Sequence, residues 1–277
     1  FYSEAIGLGL QRRRDLVRSL REALGNGQLE VHYQPVVDPL NVECMSAEAL
    51  LRWRHPERGV IEPMEFLEAA RECQLLPQLD RFTLCEAAMQ REEWRSRGIQ
   101  TPISLNLAYE SLRTAGGLEG IMASCDSRLE GLIFEFSHES LRYILSRFPR
   151  TLDTCYRNGI LFIVDDFGGP KSTMFDIGAL PVKSFKVDRR CVAALPYHDG
   201  AMALFEAIRD VSQTLGYQLY GKGVENRLQQ DWLSGRCDGL QGFAIARPMR
   251  PLDFERWLRH RDGGLLEGRA GTPEAAP

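Results

Sequence analysis

LEVHYQPVVDPLNVECMSAEALLRW, residues 29–53, contains two apolar runs, 29–37 and 44–53, with about six residues from Asp38 to Glu43 between them. Both runs read as β-strands, rich in Val, Leu, Tyr and Ala. Parallel neighbours need a crossover of roughly a dozen residues or more, so this connection is too short for one and the two strands must pair antiparallel. Downstream the pattern changes. Apolar runs at 102–108, 131–137, 160–167, 184–188, 217–223 and 239–243 alternate with stretches of helical periodicity such as MEFLEAARECQLL (64–76), FTLCEAAMQREEW (82–94) and MALFEAIRDVSQTL (202–215). Eight strand candidates alternating with helices predict an α/β fold, a (β/α)8 TIM-like barrel whose first strand is antiparallel. A doubly wound open sheet is the alternative.

Ahead of the first strand, LQRRRDLVRSLREAL (10–24) places Leu10, Leu16, Val17, Leu20 and Leu24 at helical spacing with arginines on the other face, and GNG (25–27) stops it. Residues 1–26 are therefore expected to be a lead-in helix and linker from an upstream domain, and 27–261 the barrel. Residues 262–277, rich in Gly, Pro and Ala, are expected to be a disordered tail. The chain begins FYS without an initiator Met, which reads as a piece of a longer protein whose upstream part could carry a membrane anchor or a sensor.

The 277 residues carry a formal net charge of −4. That argues against a nucleic-acid polymer as partner, because backbone affinity needs a basic patch and counterion release. A small anionic ligand held by a few residues stays open. Seven scattered cysteines (Cys44, Cys73, Cys85, Cys125, Cys155, Cys191, Cys237) form no C-x-x-C pair and read as reduced, mostly buried thiols in the cytoplasm. No run approaches the ~18 apolar residues of a membrane span.

In a parallel barrel the strand ends that lead into helices form the active face. The polar residues falling there are strongly acidic: Glu48, Asn106, Glu135, Asp165, Asp166, Lys186, Asp188 and Gln241. Converging carboxylates repel one another and resist desolvation unless a cation compensates. An all-oxygen set of Glu, Asn, Glu and Asp suits Mg²⁺ or Mn²⁺, and an adjacent Asp can bridge or hold a second ion.

These segments resemble the EAL-domain family of cyclic-di-GMP phosphodiesterases over residues 10 to 260. YQPVV (33–37) is similar to the first-strand YQPI motif, EALLRW (48–53) to the name-giving E-x-L motif with its Arg-Trp, and SLNLA (104–108) to the Asn-bearing strand. FEFSHES (134–140) resembles E-x-T-E-S, DDFGG (165–169) D-D-F-G-T-G, FKVD (185–188) K-I-D, and LQGFAIARPM (240–249) the closing Q-G-Y segment. The resemblance implies a barrel that binds the cyclic dinucleotide across its open face, with two metal ions activating the water that opens one phosphodiester to give pGpG. It implies metal ligands at Glu48, Asn106, Glu135 and Asp165, a second metal at Asp165 and Asp166, and Lys186 near the water or phosphate. Gln34, Leu50, Arg52, Asp188, Glu225 and Gln241 would face the ligand, with Arg52 on a phosphate. Phe243 and Pro248 would line base pockets, a core role for Phe243 being the alternative.

Three departures stand out. GKGVE (221–225) resembles A-E-G-V-E, whose first Glu serves the second metal and the water, but that position is Lys222. The second Glu of the E-x-T-E-S segment is His138, read as a surface or capping residue, with a metal ligand as the alternative. The loop DDFGGPKSTM carries Gly169, Pro170 and Lys171 where Thr, Gly and Tyr are usual. An ammonium in place of a carboxylate removes a ligand and brings positive charge to where a divalent cation would sit. Lys222 is expected to neutralise Asp165 and Asp166 itself. The sequence therefore reads as a degenerate EAL domain: a non-hydrolytic cyclic-di-GMP receptor that needs no cofactor to bind, with Mg²⁺ or Mn²⁺ at a single residual site. It would signal to a neighbouring GGDEF-like domain or to a protein partner such as a PilZ-type adaptor. A weak phosphodiesterase and an interaction module that has lost the nucleotide are the alternatives.

Overall fold

The computed structural model describes residues 16–40, 43–114, 116–125, 129–170, 178 and 182–269, with side chains described as far as residue 261. Nine strands form one sheet: β1 (Leu29–Val37), β2 (Cys44–His55), β3 (Gly59–Ile61), β4 (Ile103–Asn106), β5 (Leu132–Ser137), β6 (Leu161–Phe167), β7 (Ser184–Val187), β8 (Gln218–Lys222) and β9 (Gly239–Gln241). Their order is β1-β9-β8-β7-β6-β5-β4-β2-β3, and pairing of β1 with β2 closes an eight-stranded barrel that leaves only β3 outside. Pairings from β2 through β4 to β9 are parallel, whereas β1 runs antiparallel to both neighbours. The β1–β2 register sets Gln34 opposite Glu48. This is the barrel that the short connection at 38–43 predicts. The strand missed by sequence reading, β3, is three residues long and has no period to detect; it folds back on the end of β2.

Helices fill the connections: α1 (16–25), α2 (Pro63–Glu72), α3 (Leu76–Ser96), α4 (Tyr109–Leu112), α5 (Gly117–Ala123), α6 (His138–Arg147), α7 (Pro149–Arg157), α8 (Arg189–Ala193), α9 (Asp199–Leu215), α10 (Arg227–Leu233) and α11 (Pro251–Arg269). Strand alternation decides which side chains meet them. On β5, Phe134 and Phe136 point to the helical layer and are fully buried, and Phe162 of β6 stacks on Phe136 at 5.8 Å between centroids. Glu135, between the two phenylalanines, is turned the opposite way into the barrel. The same alternation turns Asp165 and Lys186 inward, beside the outward Val164 and Phe185. The apolar layer thus fixes the direction of the acidic residues.

The described part of α1 packs on the barrel, with Leu20 and Ala23 fully buried against Trp53, Phe66 and Leu79. Helix α11 continues to Arg269, so the tail boundary drawn at residue 262 falls inside a helix that runs on through Gly263 and Gly264; residues 270–277 lie outside the described residues. All seven cysteines are free thiols, with Cys155, Cys191 and Cys237 buried and the other four half-buried. Among the described residues no helix is long and apolar enough to cross a membrane.

Candidate functional site

Two lysines organise the bowl at the carboxyl ends of the strands. Lys186 of β7, 1% exposed, lies 2.8 Å from Glu48 Oε2 and 2.5 Å from Glu135 Oε1. Glu48 Oε2 also accepts from Gln241 Nε2 at 2.7 Å, and Glu48 Oε1 from Asn106 Nδ2 at 2.7 Å. Gln241 reaches Gln34 Oε1 at 3.2 Å, while Gln34 donates to the Ala246 carbonyl at 2.9 Å. One ammonium can balance one carboxylate. Burial alone would raise the Glu48 carboxyl, but the charge and hydrogen bond of Lys186, with Gln241, hold it down at about 2. Burial and then the Glu48 charge push Glu135 up to about 7 against the pull of Lys186. Burial disfavours the Lys186 charge, yet Glu135, Glu48 and Asp165 together raise its pKa above the ordinary lysine value.

Lys222, at the end of β8, places Nζ 2.6 Å from Asp165 Oδ1 and 2.5 Å from Asp166 Oδ1. Burial raises the Asp165 carboxyl, and Lys222 and Lys186 oppose that rise. Asp165 is largely buried, whereas Asp166 is well exposed and has a backbone φ of +53°, a left-handed conformation that few non-glycine residues adopt. The expectation that Lys222 neutralises this pair agrees with the geometry.

The same geometry tests the residues against divalent ions. The oxygens Asp165 Oδ1 and Asp166 Oδ1 already share an ammonium, so the pair does not fit a second metal. Glu48, Asn106 and Glu135 converge, but Glu48 is engaged on both oxygens, and no group of three His, Cys, Asp or Glu among the described residues could hold a metal ion. Glu135 Oε2 is buried without a hydrogen-bond partner, the one feature that suits a single cation.

The remaining candidate residues lie on β2 and beyond the ends of β7, β8 and β9. Leu50 and Arg52 follow Glu48 on the same face of β2; Arg52 is buried and donates to its neighbour's carbonyl, Leu51 O, at 2.7 Å. Glu225 is exposed beyond β8 and Pro248 is half-buried. Phe243 lies past the end of β9, 47% exposed, with the Arg247 guanidinium 4.3 Å from its ring centroid, so the core alternative for Phe243 is excluded. Gly242 lets that segment cross under Val224: a Cβ there would sit 2.1 Å from the Val224 carbonyl oxygen. His138 is a correction to the sequence reading. It is buried, as the first residue of α6, and the capping residue is Ser137, which accepts from Ser140 N at 3.1 Å. Lys171 lies outside the described residues.

An EAL-domain sequence profile matches residues 17–248. The chain belongs to the EAL-domain family. It is 32% identical over 254 residues to the bifunctional diguanylate cyclase/cyclic di-GMP phosphodiesterase MucR of Pseudomonas aeruginosa, covering 90% of this chain and 37% of that protein. It is 29% identical over 256 residues to the cyclic di-GMP phosphodiesterase PdeR of Escherichia coli K12, covering 87% of this chain and again 37% of the relative. The chain thus spans well under half the length of these relatives. The solved PaMucR phosphodiesterase in complex with c-di-GMP superposes with a TM-score of 0.78 at 30% identity, covering 87% of this chain and 99% of that one. The Xanthomonas citri FimX EAL domain, solved with c-diGMP, shares the fold at a TM-score of 0.73 and 20% identity, covering 88% and 96%.

Two EAL-domain residues near the bowl escaped the sequence reading. Arg190 caps the Asp188 carboxylate from two residues away. Asp80 of α3 accepts from Ala108 N at 2.7 Å and Ser111 Oγ at 2.6 Å, fixing the turn that follows Asn106. Its only signal in the sequence is a lone Asp on the apolar stripe of LPQLDRFTL. Burial pushes the Asp80 carboxyl up to about 6, against the two hydrogen bonds that lower it. The folded state therefore holds this proton more tightly than the unfolded chain, and stability from Asp80 falls as pH rises from about 4 through 6. Asp80→Asn keeps an acceptor and removes the charge. It should flatten the stability profile between pH 4 and 7 and match or exceed the parent at pH 8, an effect on the order of 1 kcal/mol in urea unfolding for this half-buried group. A parent profile with no such slope counts against the assignment.

Proposed function

We propose that this EAL domain binds cyclic-di-GMP and leaves it intact, serving as a receptor that passes occupancy to a neighbouring domain or a partner protein. The observation that carries the reading is Lys222 Nζ, 2.6 Å from Asp165 Oδ1 and 2.5 Å from Asp166 Oδ1, where hydrolysis in the family calls for a carboxylate and a second cation. The ammonium supplies charge compensation but neither a metal ligand nor a base. Supporting the reading, Gln34, Arg52, Gln241 and Glu225 stand at positions matching the family's ligand-facing motifs, and the similar PaMucR structure is a c-di-GMP complex. A lysine also attracts phosphate as a point charge. Affinity then needs no divalent cofactor. The packed α1 offers one route for coupling to a GGDEF-like domain, and an outer-face partner such as a PilZ-type adaptor offers another.

The second reading, a weak phosphodiesterase giving pGpG, is favoured by the unpartnered Glu135 Oε2, where a single Mg²⁺ or Mn²⁺ would sit beside Glu48, Asn106 and Asp165. Calorimetric titration with cyclic-di-GMP in Mg²⁺ and again in EDTA separates them, with the ligand recovered by chromatography after prolonged incubation. The receptor predicts micromolar or tighter binding that survives EDTA and ligand recovered whole. Appearance of pGpG in Mg²⁺ alone would establish the weak enzyme instead.

A further inference from the structure

Asp188 and Arg190 flank the junction of β7 and α8. Arg190 Nε donates to Asp188 Oδ1 at 2.9 Å and Nη2 to Oδ2 at 2.5 Å, two parallel bonds in a fork. The backbone N–H of Arg190 also donates to Oδ1, at 2.8 Å, which caps the short helix without any help from the side chain. The fork is thus additional to the cap. It is also one-sided: the Asp188 side chain is 5% exposed while that of Arg190 is 65% exposed. The carboxylate is built into the wall and the guanidinium lies over it from the solvent side.

The surroundings fix the carboxylate more than the arginine. A Cβ at Gly169 would lie 2.4 Å from Asp188 Oδ2 and 3.2 Å from Arg190 Nη2, so the segment after β6 closes on the carboxylate to a distance that only glycine allows. What remains open is a cavity of about 310 Å³ between this pair and Asp165 and Asp166. Arg190 holds the Asp188 carboxyl below its ordinary range, keeping it an acceptor only.

Two parallel N–H donors facing a carboxylate are also what guanine presents, through N1–H and its exocyclic amino group. Adenine cannot: its edge alternates a donor with an acceptor. We propose that the Arg190 guanidinium is a built-in stand-in for the guanine edge, occupying Asp188 in the ligand-free chain and leaving it when a base of the nucleotide arrives. The inference rests on the reading that this EAL domain binds cyclic-di-GMP through residues that include Asp188. Arg190 therefore acts as an autoinhibitory contact and raises the nucleotide concentration at which the receptor responds. Because its head is mostly in water, swinging out is inexpensive, as exposed ion pairs contribute little. The apparent affinity is lowered by the fraction of chains in which Asp188 is free, a factor of about two to six.

The test is calorimetric titration of the full chain, its Arg190→Ala variant and its Arg190→Lys variant with cyclic-di-GMP and with cyclic-di-AMP, alongside thermal unfolding. Lysine keeps the charge and lacks the fork, and it guards against an alanine variant that folds poorly. Both variants should bind cyclic-di-GMP about two- to sixfold tighter, with no gain for cyclic-di-AMP. If Arg190 instead holds a phosphate, Arg190→Ala weakens binding and Arg190→Lys stays near the parent, which overturns the proposal. Equal affinity in all three chains overturns it too while leaving the receptor intact. Absence of binding in the parent and both variants overturns the receptor reading, and this inference falls with it.

Discussion

Lys186→Met is expected to lower the stability of the domain by about 3–5 kcal/mol near pH 8, the loss seen when one partner of a buried ion pair is removed. Methionine fills most of the space and keeps the apolar stem, so the loss is electrostatic. In the parent, Glu48 and Glu135 both reach Lys186, at 2.8 and 2.5 Å, inside a barrel where all three side chains are buried. Without the ammonium, Glu48 keeps the amide donors of Asn106 and Gln241, and Glu135 loses the donor to Oε1 while Oε2 already has none. Both carboxyls must then take up protons or stay charged in a poor solvent for charge. The pH dependence has a definite sign. In the variant both folded-state values lie above those of the unfolded chain, so stability falls as pH rises through them, and the deficit should shrink toward pH 5. Urea unfolding at pH 5 and pH 8 reads this directly. At a chain length near this one the pH 8 loss corresponds to a melting shift of roughly 10 °C. A deficit below about 1 kcal/mol that does not change with pH would show that Lys186 is not the counter-charge of the bowl.

The barrel is where sequence reading was strongest, whereas the pairing of Lys186 with Glu48 and Glu135 was not foreseen. Short strands alternating with helices, and a first connection too short for a crossover, fix the barrel and its reversed strand, and period-two alternation then turns Glu135 inward between two phenylalanines. Charge chemistry carried the reading further: a lysine at 222 among carboxylates had to pair with them, and it lies between Asp165 and Asp166. What failed depends on contacts that no period encodes. The strand β3 has three residues and no pattern. His138 follows a serine that caps better than it does, and the start of α6 packs it inside. For Phe243 it was only the core alternative that failed, because the residue falls just beyond the end of a three-residue strand, where the alternation has stopped. Asp80 acts on a turn 28 residues away in sequence. Gly169 is set by the approach of Asp188 and Arg190, which belong to another strand end. Linear spacing gives faces and directions, while the partners across the bowl come from closure of the barrel.

Lys222→Glu should convert a metal-indifferent fold into a metal-dependent one. In the parent the ammonium already compensates Asp165, and Asp166 contributes less because it is well exposed. The melting temperature of the parent is therefore expected to be the same in EDTA and in Mn²⁺ to within a degree or so. The substitution places three carboxylates where two shared a cation. In EDTA the variant should lose about 3 kcal/mol, since it removes the partner of the largely buried Asp165 and adds a like charge. That corresponds to a melting shift of roughly 6–12 °C for a domain of this size. An oxygen-only cluster of Glu and Asp is what Mn²⁺ or Mg²⁺ binds, and an ion present at about 100 times its dissociation constant would return roughly 2.7 kcal/mol. The paired scans in EDTA and Mn²⁺ thus give a difference of several degrees for the variant and none for the parent. Incubating the variant with cyclic-di-GMP in Mn²⁺ adds a second readout, because a restored carboxylate should also bring back some release of pGpG, limited by His138 and Pro170 at the neighbouring departures. Equal stabilisation of parent and variant by Mn²⁺ would mean that an ion binds beside Lys222 after all, and the receptor reading would lose the observation on which it stands.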